Sequence, residues 1–169
     1  EGSVWEAADI GAADGLDNLC GITDVNELGQ SRPTMWRHDM EQFARRWRAF
    51  GWHAIVIDGH DLNAILDAYA EARATKGQPT MIVARTIKGK GIPFVEGKEG
   101  WHGKPFKKGE EADRALAELE KHLVPGAQAI DLAKQIQKPA SRPADPPAPK
   151  PLPPPAYKAG DQVATREAY

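Results

Sequence analysis

Cysteine is almost missing from this chain. Cys20 stands alone among 169 residues, so no internal disulfide can staple the fold, and a reducing compartment, the cytoplasm, suits it. An excess of positive charge is missing too. Lys and Arg total 22 against 24 Asp and Glu, a formal net charge of -2, which offers no electrostatic footprint for nucleic acid. No apolar run approaches the roughly 18 residues of a membrane span. The opening stretch EGSVWEAAD is acidic and amphipathic and unlike a signal peptide. With no initiator Met, the chain reads as a piece cut from something longer. CxxC, HExxH, a Walker-type lysine loop and a Ser-His-Asp order are all absent, so a thiol or serine nucleophile has no support.

Proline is present but unevenly spread: of 14, nine fall between Lys138 and Pro155, in KPASRPADPPAPKPLPPP. Such a stretch holds no helix and runs as extended polyproline II, either a semi-rigid spacer or an SH3-type ligand. Beyond it, AYKAGDQVATREAY has turn residues at Ala159–Asp161 and a helix opening at Thr165. The expected organisation is therefore one domain over residues 1–137, a Pro-rich linker over 138–156, and the start of a second domain over 157–169.

Within the first domain, helical and strand patterns alternate. Ser3 with Glu6 three residues later forms a capping box for a helix to about Ala13. Leu19–Thr23 (LCGIT) reads as a buried strand. In HDMEQFARRWRAFG, apolar residues at Met40, Phe43, Trp47 and Phe50 predict a helix stopping at Gly51. Trp52–Gly59 is a strand and its turn. Asp61 caps a helix with Leu62, Ile65, Leu66, Tyr69 and Ala72 on its inner stripe. Thr80–Thr86 is a third strand, followed by a Gly-rich loop to Lys108 and a last helix in EEADRALAELEKHL. This succession predicts an α/β fold: part of a doubly wound, mainly parallel sheet with helices on both faces. Ligands of such sheets bind beyond the carboxyl ends of the strands, where the loops Asn26–Ser31 and Thr86–Lys104 sit.

Both loops carry chemistry. DVNELGQS offers carbonyl oxygens suited to a hard metal or a ligand, although an ordinary strand exit also uses Asn and Gly. In TIKGKGIPFVEGKEGWHGKP, Lys88 and Lys90 alternate with Gly89 and Gly91, as an anion site requires and as a solvated loop also permits. His102, in WHGKP, lies outside any helical periodicity and suits proton movement or donation to a substrate oxygen. His38, His53, His60 and His122 suit structural or solvated roles.

Taken together, EGSVWEA, LDNLCGITDVNELGQS, FGWHAIVIDGHD, IKGKGI and EGWHGKP closely resemble the N-terminal, diphosphate-binding domain of the transketolase family. PPPAYKAGDQVATREAY resembles the opening of that family's pyrimidine-binding domain, and NELGQS resembles the animal-type branch. The resemblance implies thiamine diphosphate as cofactor, held with Mg²⁺ or Ca²⁺ on the thiamine diphosphate-binding fold. It implies a metal bound by the Asn26 side-chain oxygen and the Leu28 carbonyl, and cofactor contacts from Gln30, Lys88 and His102. His102 would also reach the sugar and help in proton handling, with Lys104 as a further substrate-side residue. Glu1 and Glu6 match acids that link two active sites across a homodimer. The implied reaction moves a two-carbon ketol unit from a ketose phosphate to an aldose phosphate in the pentose phosphate pathway.

The family's Gly-Asp-Gly metal motif should lie just ahead of Glu1, and the glutamate that activates the cofactor belongs to the second domain. This polypeptide alone is accordingly expected to be inactive, working in a complete enzyme or by pairing with a complementary transketolase chain. Two other thiamine diphosphate enzymes, a dihydroxyacetone synthase and a deoxyxylulose phosphate synthase, remain alternatives, as does a non-catalytic split subunit.

Overall fold

Apolar periodicities of 3.6 and 2 take turns along the chain, and the backbone follows them. The computed structural model describes residues 2–124, together with Gly126, Gly160 and Gln162. Glu1, the Pro-rich linker over 138–156 and nearly all of 157–169 lie outside the described residues. The elements are α1 (Ser3–Ala13), β1 (Cys20–Val25), α2 (Met40–Ala49), β2 (His53–Asp58), α3 (Leu62–Ala74), β3 (Thr80–Arg85) and α4 (Glu110–Glu120). The strands form one parallel sheet in the order β1-β3-β2, the α/β arrangement that the alternation predicted. No described helix is long and apolar enough to cross a membrane.

Register explains how the sheet is covered. Gly21, Thr23, Ala54, Met81 and Val83 point to one face, and Ile22, Ile55, Ile57, Ile82 and Ala84 to the other. On the first face, α1 and α2 close a core of Ala8, Val25, Ala44, Trp47, Trp52, Ala54, Met81 and Val83. Polar ends of the buried indoles are satisfied: Trp47 Nε1 donates to Thr23 Oγ1 at 3.0 Å and Trp52 Nε1 to the Ala8 carbonyl at 2.8 Å. Trp5 stacks on Phe50 at 5.4 Å, fastening α1 to the end of α2. On the second face, α3 lies against β2 and β3, so helices do cover both sides.

Three expectations need correction. LCGIT is not a buried strand: β1 is an edge strand of the described sheet, and Ile22 is 56% exposed on its open side. Of the expected inner stripe of α3, Ile65 and Ala72 do face inward and Ala68 joins them, while Leu62, Leu66 and Tyr69 stay exposed, because the helix approaches the sheet largely through its small residues. Ser3 is no N-cap; it lies within α1, whose cap position is Gly2 with no side-chain hydrogen bond. Asp61, by contrast, caps α3 as expected, its carboxylate accepting from Asn63 N–H at 2.9 Å and Ala64 N–H at 3.3 Å.

Candidate functional site

Parallel strands leave their carboxyl ends on one edge, and that edge gathers the two polar loops. Val25 pairs with Arg85, and the Val25 carbonyl accepts from Thr86 N–H at 3.1 Å. The segment starting at Asn26 and the segment starting at Thr86 therefore leave the sheet side by side. Asp24 adds a side-chain link by accepting from the Thr86 hydroxyl.

In the first loop the backbone turns sharply at Glu27, whose φ of 72° is left-handed. The Asn26 side-chain oxygen accepts from Leu28 N–H at 3.1 Å and its amide nitrogen faces Asp24 Oδ2 at 3.4 Å, which fixes the amide's orientation. An amide oxygen has two lone pairs, so one remains for a cation. Leu28 faces Pro33 in an isolated antiparallel bridge. The flanking bonds, Thr34 N–H to Glu27 O at 2.7 Å and Gly29 N–H to Arg32 O at 2.8 Å, leave the Leu28 carbonyl outside that ladder. Two hard oxygen donors are thus presented within three residues. Among the described residues no group of three or more His, Cys, Asp or Glu is placed to hold a metal ion. Gln30 is exposed in the turn between Gly29 and Arg32.

In the second loop, Lys88 Nζ donates to His102 Nδ1 at 3.1 Å. With Nδ1 accepting, Nε2 is left as the N–H donor of the neutral ring. Lys88 is half-buried and His102 exposed. Lys90 is differently engaged: its ammonium pairs with Glu96 at 3.1 Å, so only Lys88 of the two lysines turns toward the histidine. Gly89 has a local reason for being glycine. Its φ is 75° and a Cβ would come within 3.0 Å of Val95 Cγ2. Phe94, Trp101 and Phe106 form an aromatic cluster with ring centroids 5.2–6.5 Å apart, flanked by Lys104 Nζ at 4.2 Å from the Trp101 ring. That cluster was not read from the sequence, although the aromatic spacing around His102 could have signalled it. Glu6 lies exposed on the first turn of α1, and the structure describes no contact between it and the two loops.

Two histidines assigned to structural or solvated roles meet at this edge. His38 Nε2 lies 2.8 Å from the Thr86 carbonyl and His60 Nε2 accepts from Ile87 N–H at 2.8 Å. The signal in the sequence was their placement just before a helix and just after a strand.

Comparison with known proteins bears on the whole segment. Residues 1–124 match the family model described as transketolase, thiamine diphosphate binding domain. The chain is 42% identical to transketolase of Homo sapiens over 169 residues, all of this chain and 26% of that protein, so it spans about a quarter of such a relative. Among solved structures, transketolase of Pichia stipitis in complex with sedoheptulose 7-phosphate superposes with a TM-score of 0.62 at 26% identity, covering 71% of this chain and 18% of the other. Transketolase from Leishmania mexicana gives 0.54 at 30% identity, covering 72% and 21%.

Proposed function

Because the chain belongs to the transketolase family, within its thiamine diphosphate-binding domain, we propose that it forms the diphosphate and metal rim of a transketolase active site. The complete protein would transfer a two-carbon ketol unit between sugar phosphates. It would act as a cytoplasmic homodimer of the pentose phosphate pathway. The Pichia stipitis relative, solved with sedoheptulose 7-phosphate, supports that substrate class. The observation that supports the reading is that the Asn26–Leu28 turn and the loop bearing the Lys88–His102 pair leave neighbouring parallel strands side by side, joined at their roots by the Thr86 N–H bond to the Val25 carbonyl.

The donor set fits the group. Asn26 and Leu28 supply hard oxygens, the kind that Mg²⁺ and Ca²⁺ take, while six or more ligands would be completed by diphosphate oxygens and other parts of the protein. Bound there, thiamine diphosphate would supply a nucleophilic carbon and a sink for the electrons of the cleaved bond. The chain's own residues have narrower tasks. Lys88 adds positive charge beside the diphosphate rim, and Gln30 offers an amide from its turn. By donating to His102 Nδ1, Lys88 keeps the ring in the tautomer whose Nε2–H can donate to a sugar oxygen. Lys104 lies near enough to His102 in sequence to serve a phosphate or hydroxyl of the same substrate. Glu1 and Glu6 would act at the subunit boundary of the homodimer. The expected domain organisation, with a linker over 138–156 and a pyrimidine-binding domain opening at 157–169, belongs to the same proposal. So does the expectation that this polypeptide alone has no turnover.

The direct test is Asn26→Ala in the intact protein. Losing an oriented ligand should weaken Mg²⁺-dependent thiamine diphosphate binding by about tenfold or more, measured by calorimetric titration. The melting temperature without cofactor should stay within about 2 °C. Unchanged affinity for both metal and cofactor would overturn the assignment.

A further inference from the structure

One backbone amide at the site is held from both ends. The Thr86 carbonyl and the Ile87 N–H belong to the same peptide group, and each faces a different imidazole. His38, from the loop ahead of α2, has Nε2 at 2.8 Å from the oxygen; His60, from the turn after β2, accepts the hydrogen at 2.8 Å. A carbonyl can only accept, so His38 must carry its proton on Nε2; an N–H can only donate, so His60 Nε2 must be bare. The two rings are therefore fixed in opposite roles.

This peptide group is where β3 gives way to the loop bearing Lys88 and His102. Thr86 is tied to β1 as well, by its N–H to Val25 and its hydroxyl to Asp24. His38 reaches the other loop too, its Nδ1 lying 3.3 Å from Glu27 Oε2, while Arg37 takes Glu27 Oε1 at 3.1 Å. Glu27 is the left-handed residue between Asn26 and Leu28. One ring thus contacts both halves of the rim, and a second locks the amide on which one half pivots. The amide lies just past Arg85, the last paired residue of β3 on either side, so its carbonyl and N–H are held by the two rings and not by a neighbouring strand.

We propose that His38 and His60 are positioning residues: a two-sided clamp on the Thr86–Ile87 amide that sets the direction of the Lys88–His102 loop and joins it to the Asn26–Leu28 turn. The inference rests on the reading of those loops as the cofactor rim. Neither histidine need touch cofactor or substrate.

The test uses the intact protein, with thiamine diphosphate and Mg²⁺ as probes. His38→Leu and His60→Leu keep bulk but remove the polar partner. Each should weaken thiamine diphosphate binding by about tenfold, the worth of one lost partially buried hydrogen bond. Without cofactor, each should speed amide hydrogen exchange in residues 86–104 while leaving α2 and α3 protected. Gln extends an amide to about the place of Nε2 and can donate or accept there, whereas Asn is too short. His38→Gln and His60→Gln should therefore recover affinity, and the Asn variants should not. Wild-type affinity and exchange in the Leu variants would overturn the clamp. If the Leu variants fail to fold, the Gln and Asn variants decide: tighter binding by Gln supports the clamp, and equal binding overturns it. Lys88→Ala separates the two levels of inference. If it weakens binding while the histidine variants do not, the clamp fails alone; if it too leaves binding unchanged, the reading of the rim fails.

Discussion

Glu96 shows how much of the Gly-rich loop is decided by single contacts. Its carboxylate accepts from Lys90 Nζ at 3.1 Å and from Gly91 N–H at 3.3 Å. The lysine's hydrogen bond foremost holds the carboxyl below its usual value, with a smaller opposing effect from desolvation. Since the folded value is depressed, the bond's contribution is present above the ordinary carboxylate range and is lost as pH falls through the lowered value. Glu96→Gln should accordingly speed hydrogen exchange of residues 88–98 at neutral pH, and the difference from wild type should vanish in acid. A difference that persists in acid would mean the charge is not what staples the loop. None of this was legible beforehand, because Lys90 reads in sequence as a partner of Lys88 and the structure gives it to Glu96. Cys20 was legible as a free thiol. Partial burial pushes it up, making its thiolate scarcer at neutral pH.

At the scale of elements, the strands end in tight turns whose sequence signals were plain and whose neighbours were not. Asp58–Gly59 reads as a simple strand exit. In the fold, Gly59 N–H donates to the Arg85 carbonyl at 2.7 Å. A Cβ there would meet Thr86 Cγ2 at 2.6 Å and Arg85 O at 3.1 Å. Gly59→Ala should therefore destabilise the protein by about 1–3 kcal/mol through overpacking, measured by urea unfolding, although the glycine's φ needs no special freedom. A loss below about 0.5 kcal/mol would show that the strand ends yield easily. The helices divide in the same way. Asp61 capped α3 as its sequence said, because capping is local. The inner arc of α3 was read too wide: Ile65 and Ala72 face the sheet as expected and Ala68 joins them, while Leu62 and Leu66 stay exposed. Periodicity marks an apolar arc; closeness of approach selects within it.

The whole described unit is well closed on one face and open on part of the other. Trp5, Trp47, Phe50 and Trp52 seal α1 and α2 over the sheet. Opposite them, Ile22 and Tyr69 line a cavity of about 200 Å³ with Ile57, Ile65, Ile82 and Ala84, beside the unpaired edge of β1 among the described strands. An open edge next to apolar side chains invites association between copies. The 169-residue segment expressed alone should self-associate in a concentration-dependent way, and Ile22→Lys should reduce this. Light scattering that stays monomeric at all concentrations would refute the expectation.

What the residues determined unaided was whatever depends on near neighbours: the alternation of helix and strand, the Asp61 cap, and the family signature in the two polar loops. Those features rest on hydrogen bonds and side-chain spacings within a few positions, and a linear string contains them. The strand order β1-β3-β2, the exposure of Ile22, the pairing of Lys88 with His102 and the grip of His38 and His60 on one amide were decided only by tertiary structure. Each depends on which surfaces meet when the sheet assembles, and contacts between residues 14 to 62 apart along the chain leave no local pattern to read.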